Sequence, residues 1–281
     1  MNIICIIAGG GKLPIKLYEK LQYDKNNIVY LLGIKNHFKN LKYFSSEDKK
    51  KYFSEIKLGS LGKILKFLEI NSIKKIIFAG SIKRPSLKDL SLDFHALKFI
   101  SGNDLENLGD DSLLKNISKF FENKGFKFIK WYDYFPEMFT EKKFLTQKKP
   151  NNDSINNLKI GLNIFKKFGR LDIGQSLIMQ NNLVLGLEAA EGTDNLLKRC
   201  FKYKKKGEKG IIIKLKKFNQ DLRFDLPTIG LNTIKLIKKY DYEGIFIQKK
   251  YCLIIDKEKV IKFANKNNIF ISSIINPYKN F

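Results

Sequence analysis

The sequence predicts an α/β protein in two parts: an N-terminal Rossmann-like domain on a parallel sheet, and a C-terminal α/β domain with a mixed sheet. Three observations predict it. From Asn2 to about Tyr132, short β-branched runs alternate with amphipathic stretches, the pattern of strands joined by right-handed helical crossovers. The periodicity lapses in YDYFPEMFTEKKFLTQKKP, Tyr132 to Pro150, and resumes as a strand-rich pattern afterwards. A chain of 281 residues also lies at the size where single cores begin to split. The expected boundaries are residues 1–133 for the first domain, 134–150 for a tether and 151–281 for the second domain.

The first strand, NIICIIA, runs into IIAGGGKLP. Gly9, Gly10 and Gly11 form a turn, and Pro14 is pre-set for the first turn of the next helix. Such a turn exposes backbone N–H groups and a positive helix end to an anion; the alternative is a tight turn that serves packing. A nicotinamide cofactor is argued against, because Pro14 stands where the third glycine of G-x-G-x-x-G belongs and NIVYLLGI ends without a ribose-binding acid. After LGKILKFLEIN and KKIIFA, the motif FAGSIKRPS places Gly80, Lys83 and Arg84 beyond a strand end, where open α/β sheets bind ligands; it reads equally as a charged surface loop. Asp110 and Asp111 in LGDDSLLKNI read as helix caps.

The second domain opens with the helix SINNLKIGLNIFKKFG. SLIMQ and LVLGLE flank Asn181 and Asn182, a two-residue hairpin signal. GIIIKL, a helix near Leu231 to Lys239, GIFIQ, YCLIID, a helix from Lys257 to Asn265 and NIFISSI follow. Two acidic islands stand out in this domain. In GLEAAEGTD, Glu188 ends a strand while Glu191, Thr193 and Asp194 surround a glycine that opens a helix. In QDLRFDLPTIG, Pro227 disfavours helix before it and favours an extended or loop conformation; an extended chain puts Asp221, Arg223 and Asp225 on one face, and a helix would still align Asp221 with Asp225. Such carboxylates suit Mg²⁺ together with substrate phosphates; capping and ion pairs with lysines are the alternative.

The formal charge of +25 raises the question of a nucleic-acid or membrane partner. Lys, Asn, Ile and Phe are abundant together, as AT-rich coding alone produces, and the densest run, KYKKKGEKG, reads as a loop. Neither a recognition helix nor an RNP-like strand is present, so no nucleic-acid partner is expected. Cys5, Cys200 and Cys252 are dispersed and suit a reducing cytoplasm. IICIIA is six residues long and is expected to be a strand, not a signal peptide or membrane span. His37 and His95 lie in no metal or hydrolase frame.

Six motifs in series, IAGGGKLP, FAGSIKRPS, GDDSLL, LDIGQS, VLGLEAAEGTD and QDLRFDLPTIG, run from Ile7 to Gly230. In them the chain resembles the UDP-2,3-diacylglucosamine pyrophosphatases of lipid A biosynthesis, the type that is not calcineurin-like. The resemblance implies Mg²⁺-dependent hydrolysis of UDP-2,3-diacylglucosamine to UMP and 2,3-diacylglucosamine 1-phosphate (lipid X), with the lipid held between the domains. It implies Asp225 as the essential acid, as metal ligand or orienter of water, with Asp221 and Arg223 beside it in catalysis. Asp225, Glu191 and Glu188 are the implied metal ligands. Gly9, Gly10, Gly11, Gly80, Lys83, Arg84, Gln175, Ala190, Gly192, Thr193 and Thr228 are the implied substrate-binding residues. Phe135, Met138 and Phe139 are expected to line an acyl-chain cleft. The implied setting is cytoplasmic, peripheral to the inner face of the inner membrane, and a homodimer is admitted. SIINPYKNF and KYKKKGEKG follow none of these motifs. The rival readings are another nucleotide-diphosphate phosphohydrolase and a basic nucleic-acid-binding protein.

Overall fold

Strand β1 (Asn2–Ala8) is apolar on both faces and buried from Ile4 onward, which suits a central strand covered by helices on both sides. The computed structural model describes residues 1–39, 45–82, 92–101, 110–171 and 173–275. They divide into two compact units, Met1–Tyr134 with Asp221–Phe224, and Phe135–Gln220 with Asp225–Phe281. The region of KRPS, with Lys83 and Arg84, lies outside the described residues, as do the side chains of Asp110 and Asp111, Asp172 and residues 276–281.

In the first unit β1 pairs in parallel with β2 (Asn27–Ile34) on one side and β4 (Lys75–Ala79) on the other. With β3 (Phe53–Ile56) and β5 (Lys127–Phe128) the sheet order is β3-β2-β1-β4-β5, all parallel. The helices are α1 (Leu13–Tyr23), α2 (Ser46–Tyr52), α3 (Leu61–Ile70), α4 (Phe94–Ser101) and α5 (Asp110–Glu122). The strand order reverses between β1 and β4, the place where such sheets bind ligands beyond their strand ends.

There the two turns are bound to each other. Gly9 N–H donates to Ala79 O (2.8 Å), Gly10 N–H to Ser81 O (2.7 Å) and Ser81 N–H to Gly10 O (3.0 Å). A Cβ on Gly9 would lie 2.5 Å from Ser81 O, and one on Gly80, whose φ is +89°, 2.5 Å from Gly10 O. Close backbone approach thus requires glycine at both positions, and the amides of Gly9 and Gly10 are engaged within the fold rather than exposed.

In the second unit the sheet order is β12-β10-β8-β6-β7. Strands β8 (Ile211–Lys214), β10 (Gly244–Gln248) and β12 (Phe270–Ile274) are parallel, and β6 (Ser176–Gln180) runs antiparallel to β8 and to β7 (Leu183–Leu187). Along the strands, side chains alternate between two cores. Ile178, Ile212, Ile245 and Ile271 pack with α7 (Gly192–Phe201), α8 (Leu231–Lys239) and α9 (Lys257–Lys266). Leu177, Met179, Ile213 and Phe246 pack with α6 (Asn152–Phe168). A two-stranded parallel pair joins β9 (Thr228–Ile229) to β11 (Leu253–Ile254).

The hairpin falls at Asn181 and Asn182, with φ of 50° and 61°, the two left-handed positions of a type I′ turn. Residues 135–149 belong to the second unit and run along β12: Ser273 N–H donates to Lys143 O (2.7 Å) and Leu145 N–H to Ile271 O (3.0 Å). They cover a sheet edge that would otherwise present unpaired groups. Phe135 and Met138 are buried and Phe139 is half-buried. Among the described residues no helix is long and apolar enough to cross a membrane.

Candidate active site

The motif QDLRFD is divided between the units: Asp221–Phe224 belongs to the first, Gln220 and Asp225 to the second. Of the extended and loop readings of this stretch the structure shows the loop, in which residues 222–224 form a turn. Asp221 causes it. Its Oδ1 accepts the Arg223 N–H (3.0 Å), and its backbone carbonyl accepts the Phe224 N–H (3.2 Å), the turn that a short acidic side chain stabilises locally.

Arg223 lies across Asp221, with Nη2 2.7 Å from Oδ2 and Nε 3.1 Å from Oδ1. Its Nη1 donates to Glu122 Oε1 at 2.5 Å, at the end of α5. The guanidinium stacks over the Phe224 ring at 4.8 Å, and that ring meets Phe78 and Phe128 at 5.6 and 5.1 Å in the first core. Burial works against the Asp221 charge, yet the Arg223 hydrogen bonds hold its carboxyl below the ordinary carboxylate range. The Asp221 hydrogen bond in turn pushes Arg223 up against the cost of burial. Three charged groups thus pin the turn to the first unit.

Asp225 has a different setting. Its Oδ2 accepts the side-chain amide of Gln175 at 2.6 Å and also that of Gln220. Both glutamines are buried. Gln220 is oriented by the backbone, since its Oε1 accepts the Lys217 N–H (2.9 Å), which turns its NH₂ toward Asp225. Gln175 is tied to the end of β8 through Leu215 N–H to Gln175 O (2.9 Å). Downstream, Thr228 Oγ1 donates to Leu226 O (2.9 Å), and Leu253 N–H donates to Pro227 O (2.8 Å). Thr228 thereby shapes the chain leaving Asp225.

Ser176, the residue after Gln175, begins the second cluster. Its carbonyl accepts the Glu188 N–H (2.9 Å), and its side chain points to the other face of the sheet, toward Thr193 Oγ1 (3.1 Å). Lys214 stands opposite Ser176 in the β6–β8 pair. Only 4% exposed, its Nζ donates to Thr193 Oγ1 (2.5 Å) and Ser176 Oγ (3.3 Å) and lies 3.8 Å from Glu188 Oε2. Thr193 Oγ1 is 3.1 Å from both Glu188 oxygens. A buried carboxylate is tolerable because a buried cation and a hydroxyl compensate it. Gly174 completes the arrangement: a Cβ there would lie 2.1 Å from Glu188 O.

The turn after β7 carries the remaining acids. Glu191 accepts the Ala189 N–H (3.1 Å) and pairs with Arg199 at 2.6 Å, while Arg199 also donates to Leu187 O (3.0 Å). Burial opposes ionisation of Glu191, and the Arg199 hydrogen bond outweighs it and holds the carboxyl below its usual range. Gly192 has φ of 75°, a conformation that other residues adopt at a cost. Asp194 accepts from Asn232 Nδ2 (2.6 Å) and Thr233 Oγ1 (3.3 Å), joining α7 to α8. Ala190 is exposed at the turn. A surface groove beside it is lined by Glu191, Asn195, Lys198, Arg199 and Lys202.

The sequence-predicted residues are therefore brought together in groups: Asp225 with Gln175, Glu188 with Thr193, and Asp221 with Arg223. Sequence reasoning missed Glu122, Ser176, Lys214, Arg199 and Gln220 as their partners. Lys214 carried a signal, as the single cation ending the apolar run GIIIK. Among the described residues no group of three or more His, Cys, Asp or Glu is placed to hold a metal by itself.

Comparison with known proteins covers both units. The model of the LpxI N-terminal domain matches residues 3–138, and that of the LpxI C-terminal domain matches residues 141–272. The chain is 29% identical over 282 residues to the UDP-2,3-diacylglucosamine pyrophosphatase LpxI of Caulobacter vibrioides, covering 98% of each chain. With both of its domains matched in order, the chain belongs to the LpxI family.

Proposed function

We propose that this protein hydrolyses the diphosphate of UDP-2,3-diacylglucosamine to UMP and 2,3-diacylglucosamine 1-phosphate in lipid A biosynthesis, with Mg²⁺, at the inner face of the inner membrane. The observation that carries the reading is the end-to-end similarity to the pyrophosphatase of Caulobacter vibrioides, 98% of each chain. In the overall reaction water forms a new P–O bond, the bridging P–O bond breaks, and up to two protons are released as both phosphate monoesters ionise.

The residues fit a magnesium ion that is completed by its substrate. Mg²⁺ is usually held by one or two carboxylates plus phosphate oxygens, so the absence of a three-acid cluster among the described residues is compatible with it. Glu188 and Glu191 have their charges matched by Lys214 and Arg199. Asp225 accepts the side-chain amides of Gln175 and Gln220 on one oxygen. We assign Asp225 as the essential acid, as metal ligand or as the group that orients water. Glu188 and Glu191 then shape the adjoining turn and support the ion. When bound, the ion supplies Lewis-acid stabilisation of charge on the diphosphate.

Arg223 has five N–H groups, and those that reach Asp221 and Glu122 fix the plane of the guanidinium. A guanidinium held in this way needs no reorganisation to stabilise a phosphoryl oxygen. The substrate's remaining contacts are assigned to Gly11, Gly80, Ala190, Gly192 and Thr228, on turns at strand ends or helix starts.

Phosphorus NMR of the products tests the reading. UMP and the sugar 1-phosphate are expected with Mg²⁺ and not with EDTA. UDP as product, or turnover unaffected by EDTA, would contradict it.

A further inference from the structure

We propose that Gln175 and Gln220 are positioning residues that clamp the Asp225 carboxylate for the reaction. The inference rests on the reading of Asp225 as the essential acid.

The geometry is specific. Two buried side-chain amides from different parts of the second unit, one just before β6 and one before the motif turn, donate to the same oxygen, Oδ2. The amide of Gln220 cannot be turned round without loss, because its Oε1 accepts the Lys217 N–H; a flipped amide would set N–H against N–H there and oxygen against oxygen at Asp225. Gln175 is fixed at its backbone by Leu215 N–H. Two donors that converge on one oxygen restrict the turning of the carboxylate about its Cβ–Cγ bond more than either does alone. An amide donor brings no charge of its own, so these two bonds orient the carboxylate by direction alone. In this account the two glutamines act through Asp225 and not on the substrate.

Gln175→Met and Gln220→Met remove each donor at similar volume. UMP release from UDP-2,3-diacylglucosamine is measured for each variant beside wild type and Asp225→Asn, with thermal unfolding as the check on folding. The clamp predicts kcat lower by about ten- to a hundredfold in each glutamine variant, with KM within about twofold of wild type and the folded state retained. A loss expressed in KM with kcat unchanged would make Gln175 or Gln220 a substrate contact and overturn the clamp. Folded glutamine variants with wild-type kcat, beside an inactive Asp225→Asn, would remove the clamp alone. A fully active Asp225→Asn would remove both the clamp and the reading of Asp225.

Discussion

Gln175 donates its side-chain amide to Asp225 at 2.6 Å, and the next residue, Ser176, accepts the backbone N–H of Glu188 at 2.9 Å. Two consecutive residues, one just before β6 and one at its start, therefore bond to both acidic stretches, at Asp225 and at Glu188. Because strand side chains alternate, Gln175 serves one face and Ser176 the other.

Lys214 is the buried counter-charge of the Glu188–Thr193 turn. Replacing it with Met leaves a carboxylate buried without its cation, and such losses cost about 3–5 kcal/mol. Lys214→Met is expected to lower stability in urea by an amount in this range, and Lys214→Met with Glu188→Gln to recover most of it. An unchanged unfolding midpoint in the single variant would remove the ion pair from the account.

Gly174 has no room for a methyl group against Glu188 O. Gly174→Ala is expected to destabilise by about 1–3 kcal/mol through overpacking and to reduce UMP release as the Glu188 turn shifts. Wild-type stability and activity together would show that the two strand ends can separate at no cost.

The Asp221 carboxyl is held below its ordinary range in the folded protein, so the folded state binds its proton less readily than the unfolded state. Its contribution is fully present above the ordinary carboxylate value of about 4 and is lost as pH falls through the folded value beneath it. Glu191 contributes in the same direction. Unfolding midpoints measured between pH 7 and pH 3 should fall less steeply for Asp221→Asn than for wild type. Identical slopes would mean that Arg223 gives Asp221 no net support.

The net charge of +25 is expected to draw the protein to anionic lipid, each cation near the surface contributing about 1 kcal/mol. Co-sedimentation with phosphatidylglycerol vesicles should weaken as salt shortens the screening length. Binding that is indifferent to salt would contradict an electrostatic origin.

The sheets and the hairpin were legible because they depend on local signals. Asn181-Asn182 states its own left-handed turn, and the unbroken apolar runs in SLIMQ and GIIIK suit strands buried on both faces. The partners of the acids were not legible, because they depend on register and on distant chain. Lys214 meets Ser176 only because β8 and β6 pair antiparallel in one register. Arg223 meets Glu122 from an element 101 residues away. Asp221 and Asp225 were expected to share a face of an extended chain, but Asp221 folds the chain into a turn by bonding to its own backbone neighbour. The glycines of the first turn were expected to expose backbone N–H groups to an anion, with a packing turn as the alternative; the use of the Gly9 and Gly10 amides by Ala79 and Ser81 depends on the neighbouring strand.

The central claim is that Asp225 is the acid on which diphosphate hydrolysis depends. UMP release from UDP-2,3-diacylglucosamine in Mg²⁺, compared between wild type and Asp225→Asn of equal thermal stability, tests it most directly. The account predicts robust release by wild type and a loss of about a hundredfold or more in Asp225→Asn. A folded Asp225→Asn that releases UMP at the wild-type rate would contradict it.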